Sequence, residues 1–130
     1  MEPKDFPTLR IHHQNKSKRD EHFFTLGIKD REQFFDWYLI SVYHSARHML
    51  RAYIYLTTED APVHRIHDIV GHTTALGNAN VSFDLLLQCH DLANLNGCAY
   101  VPSVEKRVDT AYGRIKKQVT NLFAAKRIPW

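Results

Sequence analysis

The chain of 130 residues contains few of the residues that cross-link or interrupt a fold: two cysteines, five glycines and five prolines. Cys89 and Cys98 are too few to build a disulfide framework, and their spacing is not that of a CxxC motif. We therefore expect both side chains to be reduced thiols packed in the interior.

Signals of several common protein classes are also absent. No apolar run is long enough to span a bilayer, and the polar N-terminal stretch MEPKDFPTLR differs from a secretory signal. The sequence has no GxxxxGK[ST] or GxGxxG loop, no Ser/His/Asp arrangement, and no long run of period-two alternation. We expect a cytoplasmic protein without a membrane partner.

The strongest positive signal is the run of residues 30–56, which contains neither glycine nor proline. Asp30 and Gln33 have the spacing of a capping box. Apolar residues then recur at the spacing of one helical face: Phe35, Leu39, Val42, Ala46, Met49, Tyr53 and Leu56. A second stripe lies beside it: Phe34, Trp37, Tyr38, Ile40 and Tyr43. A helix with two apolar faces should lie at the centre of the domain, and it favours a homodimer.

The segments on either side of this run predict further helices. Residues 1–19 are polar and are expected to form an irregular arm, and residues 20–28 a short helix that ends at Gly27. A short helix is expected from Pro62 to about His72. A longer one should run from Asn78 or Asn80 to about residue 95, with this apolar set: Val81, Leu85, Leu86, Leu92 and Leu95.

The last predicted helix begins after an extended segment at residues 98–102, with Ser103 as its cap. Its apolar seam is Val104, Val108, Ala111, Ile115, Val119 and Leu122. Residues 124–130 form a tail whose Trp130 is expected to dock on the bundle. The whole chain, 1–130, is therefore predicted to be one all-α domain, a bundle of four or five helices.

The net charge of +3 is unevenly distributed. From residue 106 onward the cations are Lys106, Arg107, Arg114, Lys116, Lys117, Lys126 and Arg127, against Asp109 alone. Such a cationic helix fits binding to nucleic acid or phosphate, and Arg107, Arg114 and Lys117 are the candidate contacts. The alternative is a solvated helix face that binds nothing.

A second candidate site lies on the long helix, where His44, Arg47, His48 and Arg51 share one face. The two arginines suit bidentate contacts to phosphate, unless they pair with acids on neighbouring helices. The two histidines have a metal-ligand spacing, and His90 or Asp91 is a candidate third ligand. The flanking arginines disfavour a cation, so no metal site is expected.

A third candidate site lies in residues 62–72, PVHRIHDIVGH. An Arg and a His on one helix can cleave RNA without a metal, because the His transfers a proton and the Arg neutralises charge on the transition state. Arg65 and His72 are two helical turns apart and share a face, which makes them the candidate catalytic pair.

Taken in order, these segments resemble the HEPN domains (higher eukaryote and prokaryote nucleotide-binding). Residues 35–54, with FDWY, VYHSARH and AYI, are similar to the second-helix pattern of that family. The resemblance continues through the His-containing segment 63–72, the Leu-rich segment 83–95, the turn at residues 98–100 and the closing amphipathic helix. It covers residues 20–123.

The resemblance implies an HEPN-like bundle of four or five helices that commonly dimerises. Many members of the family are metal-independent ribonucleases of toxin–antitoxin, CRISPR and other defence systems, with an Arg-x4–6-His motif near a dimer cleft. Others have lost this motif and bind RNA or a partner protein. A nucleotidyltransferase or an antitoxin is then an expected partner, and no cofactor is implied.

The chain departs from the nuclease pattern near the start of its last helix, where residues 96–100 (NGCAY) contain neither Arg nor His. Arg65 to His72 is the one spacing match. We therefore expect a non-catalytic domain that binds RNA, a nucleotide or a partner protein. One alternative is a metal-independent ribonuclease that uses Arg65 and His72, and another is a metal-binding bundle that uses His44 and His48.

Overall fold

The computed structural model describes residues 6–57, 79–96 and 99–130. In these ranges the backbone forms four α-helices, one π-helical turn and no strand. The helices are α1 (Phe6–His22), α2 (Phe35–Thr57), α3 (Ala79–Asn96) and α4 (Pro102–Ala125), and the π-helical turn Phe23–Gly27 directly follows α1. The all-α prediction is confirmed for the described residues. The helix expected between Pro62 and His72 lies outside them.

Helix α2 is the centre of the fold, and it packs against α1, α3 and α4. The first predicted stripe is buried from Phe35 to Tyr53, and Leu56 packs against the edge of the core. The second stripe is only partly covered, because Phe34 and Trp37 remain 44% and 55% exposed. The prediction of burial on a second side is therefore wrong for these two residues.

The turn that leads into α2 is capped by Asp30, as its spacing with Gln33 predicted. The Asp30 carboxylate accepts a hydrogen bond from the backbone N–H of Gln33, with an N···O distance of 3.2 Å. The Asp30 carbonyl accepts a second one from the N–H of Phe34 at 3.1 Å. Regular α-helix begins only at Phe35.

Helix α1 corrects the prediction of an irregular arm over residues 1–19, because residues 6–22 are helical. The segment lacks an apolar stripe, and what it buries is polar: His13, Gln14 and Ser17. Each of these side chains has a hydrogen-bond partner far away in the sequence. Burial of polar groups costs little when they are paired in this way. A π-helical turn then ends at Gly27, where the sequence predicted a helix end.

Helix α3 presents to the core a face that only partly matches the predicted one. Its buried residues are Ser82, Phe83, Leu86, Cys89 and Ala93. Of the predicted apolar set, Leu86 is buried and Leu85 packs against the core, whereas Val81, Leu92 and Leu95 are exposed. The rings of Phe83 and His90 both stack on Tyr43 of α2, and in this orientation Leu92 and Leu95 lie on the exposed side of the helix. The prediction of a packed thiol is confirmed for Cys89, and Cys98 lies outside the described residues.

Helix α4 begins at Pro102, so the predicted cap at Ser103 is wrong. Val101 is extended, with φ −132° and ψ 112°, and its carbonyl accepts hydrogen bonds from the N–H groups of Val104 and Glu105. Pro102 occupies the first helical position, where its missing N–H costs nothing. The predicted seam is confirmed, with Val104 and Leu122 at its edge, and the buried residues of the helix are Val108, Ala111, Tyr112, Ile115, Val119 and Phe123.

The C-terminal tail folds back on the bundle, as predicted for Trp130. The Trp130 ring packs edge-on against Phe123 at a centroid distance of 5.2 Å. The Gln14 side chain donates hydrogen bonds to the carbonyl oxygens of Pro129 and Trp130. The tail therefore ties α1 to the end of α4. None of the helices in the described ranges is long and apolar enough to cross a membrane.

Candidate functional site

An open groove of about 390 Å³ lies between α3 and α4. Lys106, Arg107 and Arg114 line it from α4, and side chains of α3 form the opposite wall. Lys117 follows Arg114 on the same face of α4, about 15 Å along the helix axis from Arg107. We call the surface formed by Lys106, Arg107, Arg114 and Lys117 the basic groove.

The two acids of α4, Glu105 and Asp109, are both bound by Arg31. Its Nη1 lies 3.3 Å from Glu105 Oε2 and 3.2 Å from Asp109 Oδ2, and its guanidinium lies over the Tyr38 ring. The Tyr38 hydroxyl also donates a hydrogen bond to Asp109. Burial and this carboxylate raise the Tyr38 pKa. Both acids of α4 thus lie outside the residues that line the groove, and the single positive charge of Arg31 offsets part of their negative charge.

The cations of α4 divide into one paired and four unpaired side chains. Lys116 forms an ion pair with Glu21 of α1. The cations of the basic groove form no ion pair with any residue that the structure describes. Of the three candidate contacts, the structure thus places Arg107 and Arg114 in the wall of the groove together with Lys106, whereas Lys117 lies on α4 beyond the residues that line it.

A second group of cationic and titratable side chains lies where α2 faces α1 and α3. We call it the histidine cluster, and its members are His13, His44, Arg47, His48, Arg51 and His90. The sequence identified the four that lie on α2 and named His90 or Asp91 as a candidate third metal ligand. His13 was missed because its contact partner lies 35 residues away, and no local spacing signals such a pair.

The closest contact in the histidine cluster joins His13 and His48. Their Nδ1 atoms are 2.9 Å apart, so one ring donates a hydrogen bond and the other must be neutral to accept it. The His13 ring also stacks in parallel on Tyr55, with a centroid distance of 5.6 Å. These contacts hold both rings in place between α1 and α2.

The pair is uncharged at neutral pH. Burial, followed by the charge of Arg51, lowers the pKa of His13 to about 4. Burial, followed by His13, lowers the pKa of His48 to about 3. Lys16 and Arg47 lower both pKa values further, so the surroundings of both rings are electropositive.

His44 and His90 form the other contact of the cluster, with ring centroids 5.3 Å apart. The two ring nitrogens of His90 lie within hydrogen-bond distance of Asp91 and Asn94. His44 and His48 thus contact different helices. No three His, Cys, Asp or Glu side chains group to hold a metal ion in residues 6–57, 79–96 and 99–130.

Arg47 lies at the centre of the cluster. Its charge contributes to the lowered pKa values of His13, His44 and His48. After burial, it is also the largest cause of the lowered pKa of Arg51. Its Nε atom is buried, and within the described residues Arg47 Nε has no hydrogen-bond partner and Arg47 forms no ion pair.

The candidate catalytic residues Arg65 and His72 lie outside the described residues. No family model, no curated protein and no solved structure matches the chain. The basic groove and the histidine cluster are therefore the observations from which a function can be argued.

Proposed function

We propose that this protein binds RNA through the basic groove and does not cleave it. The observation that carries the proposal is the separation of charge on α4. Its two acids bind Arg31, while the four cations of the groove have no ion pair within the described part of the chain. A row of unpaired cations binds a phosphate backbone by releasing the counterions of the nucleic acid.

The form of the groove supports an extended polyanion as the ligand. Its cations are spread over about 15 Å of α4, which suits several successive phosphates better than one small anion. Two of them are arginines, whose planar guanidinium groups can bind phosphate in a bidentate manner. The resemblance of residues 20–123 to HEPN domains supports RNA as the polyanion, and the NGCAY sequence at residues 96–100 supports a non-catalytic role.

Salt dependence of RNA binding tests the proposal directly. We expect a labelled single-stranded RNA to bind with an affinity that falls with salt at a log–log slope of about −3, as four phosphate contacts predict. The Arg107→Gln/Arg114→Gln variant should bind more weakly and should roughly halve this slope. Fluorescence anisotropy over roughly 50 to 200 mM salt measures both quantities.

The matched control is Arg10→Gln/Lys29→Gln, which removes the same charge from side chains outside the groove. It should change the affinity little and leave the slope near that of the parent chain. Binding that ignores salt, or an equal effect of the two double variants, would remove the basic groove as the RNA site.

The same samples test the absence of catalysis. We expect the RNA to stay intact during long incubation in EDTA, because the NGCAY segment lacks the Arg and His of the nuclease motif. Metal-independent cleavage that disappears in Arg65→Ala or His72→Ala, with the fold retained by circular dichroism, would show a ribonuclease instead.

A further inference from the structure

We infer that RNA crosses α4 at Gly113, and that the basic groove holds the sugar–phosphate backbone and not the bases. This inference rests on the proposed RNA binding and names the part of the ligand that the site recognises. Three observations support it: a glycine that the described part of the fold does not require, its position beside the row of cations, and the absence of aromatic side chains from the described lining of the groove.

Gly113 lies in the middle of α4, where only proline is less favourable than glycine. Its backbone is α-helical and its position is exposed. A Cβ atom at this position would have no neighbour within 4 Å among the described residues. Alanine here would favour folding about two- to fivefold in the equilibrium constant. The glycine therefore lowers stability, and neither backbone conformation nor packing in the described fold requires it.

The neighbours of Gly113 on the helix surface connect it to the basic groove. Thr110 and Lys117 lie one helical turn before and after it, and Arg114 is next to it in the chain. Thr110 and Arg114 line the groove, whereas Gly113 lies at its rim. The Thr110 hydroxyl donates a hydrogen bond to the Lys106 carbonyl at 2.9 Å, so this side chain lies against its own helix. The rim is therefore low at Gly113, where the helix surface is backbone alone.

A low rim allows a polyanion to approach α4 closely, which is one of the uses of glycine in binding sites. Arg114 and Lys117 both lie within one helical turn of the gap, and both are exposed. The attraction between a cation and a phosphate falls as the two separate. A side chain at position 113 would hold the strand away from both cations and so weaken both contacts.

The lining of the groove indicates which part of the RNA it holds. Proteins that bind the bases of a single strand provide aromatic side chains on which the bases stack. None of the described residues that line this groove is aromatic, and α3 contributes Val81 and Leu85 to the wall opposite the cations. Cations on one wall and apolar side chains on the other suit phosphates and ribose rings, which carry no sequence information.

The Gly113→Ala variant separates binding from stability, because the two should change in opposite directions. Urea unfolding should show a folding equilibrium constant about two- to fivefold higher. Fluorescence anisotropy should show labelled oligo(U) RNA binding about threefold more weakly, and Gly113→Gln should weaken it about tenfold. Gly113→Gln should also reduce the magnitude of the salt slope by about 1, as loss of one phosphate contact predicts, although no charge is removed.

The matched control is Ala125→Gln, which adds the same kind of side chain at an exposed position about 16 Å beyond Arg114 along α4. It should leave the affinity and the slope unchanged. Recognition of the backbone is tested with oligo(U) and oligo(C) of equal length. Their affinities should agree within about threefold, since a base contact would distinguish them by about tenfold or more.

The inference is overturned if Gly113→Gln binds RNA with the affinity and the slope of the parent chain, or if Ala125→Gln weakens binding equally. A tenfold preference between the two oligonucleotides would overturn recognition of the backbone. If Arg107→Gln/Arg114→Gln weakens binding and Gly113→Gln does not, the proposed function stands and this inference alone fails. If the parent chain does not bind RNA, both fail.

Discussion

At the scale of single residues, this core depends on polar as well as apolar side chains. Ser17 of α1 and Ser45 of α2 are fully buried, and each hydroxyl donates to the backbone carbonyl of the other residue at 2.9 Å. The Tyr112 hydroxyl of α4 lies 2.8 Å from Ser45 Oγ. Three helices therefore meet at one hydrogen-bonded point, where small side chains let the backbones approach closely.

We expect Ser45→Ala to lower the free energy of unfolding by about 1 to 3 kcal/mol, because it leaves the Tyr112 hydroxyl and the Ser17 carbonyl without this partner in the interior. Urea unfolding followed by circular dichroism measures the change. The control is Ser41→Ala on the same helix, since among the residues that the structure describes the Ser41 hydroxyl donates only to carbonyls of its own helix, those of Trp37 and Tyr38. Equal losses in the two variants would contradict the role of the inter-helix contact.

At the scale of elements, the end of α4 shows how a helix stop is built without glycine. Arg127 has a φ of 58°, in the left-handed region that disfavours residues with a Cβ atom. The N–H of Arg127 bonds the carbonyl of Ala124, and that of Ile128 bonds the carbonyl of Phe123. This is the hydrogen-bond pattern of a Schellman motif, and it turns the chain so that the tail reaches α1.

The unfavourable conformation of Arg127 leads to a prediction about this element. Arg127→Gly should raise the free energy of unfolding by about 1 kcal/mol, because glycine adopts a positive φ without steric cost. Thermal and urea unfolding measure the gain. Arg127→Ala removes the same charge but keeps the Cβ atom, so it should give no gain. A matching increase in both variants would assign the effect to charge and not to the backbone.

Helices α1 and α3 are the elements whose buried faces the sequence did not predict correctly. The 3.6-residue period of α2 and α4 is a local property, and it predicted most of their buried residues correctly. Helix α1 has no such period, because the side chains that it buries are polar and depend on partners elsewhere. The predicted face of α3 was right for Leu85 and Leu86 but wrong for Val81, Leu92 and Leu95, because the helix meets α2 through Phe83 and His90, which stack on Tyr43.

At the scale of the whole molecule, one side of the bundle carries exposed apolar side chains. Phe23, Phe34 and Trp37 line an open groove of about 490 Å³ where the π-helical turn meets the start of α2. Leu26, 66% exposed, lies on the same turn. Grouped apolar side chains of this kind are typical of surfaces that associate. The homodimer expected from the two-faced α2 stays a prediction, and this is the surface we assign to it.

Light scattering on a sizing column tests the dimer. We expect a particle with twice the 15.2 kDa mass of one chain, and we expect Trp37→Ser to shift it towards the mass of one chain, because the substitution removes the largest exposed apolar side chain from the patch. Leu95→Ser is the control, since Leu95 is 77% exposed on α3 and lies outside the patch. A single-chain mass at all concentrations would exclude the homodimer.

The sequence by itself determined the all-α class, the central position of α2, the seam of α4 and the cationic character of residues 106–117. Each of these follows from the spacing or the charge of residues close together in the chain. Only the tertiary structure decided that α1 is a helix, that Arg31 pairs with both acids of α4, and that His13 meets His48. Those results depend on contacts between residues 28 to 116 positions apart, and no local period encodes such a contact.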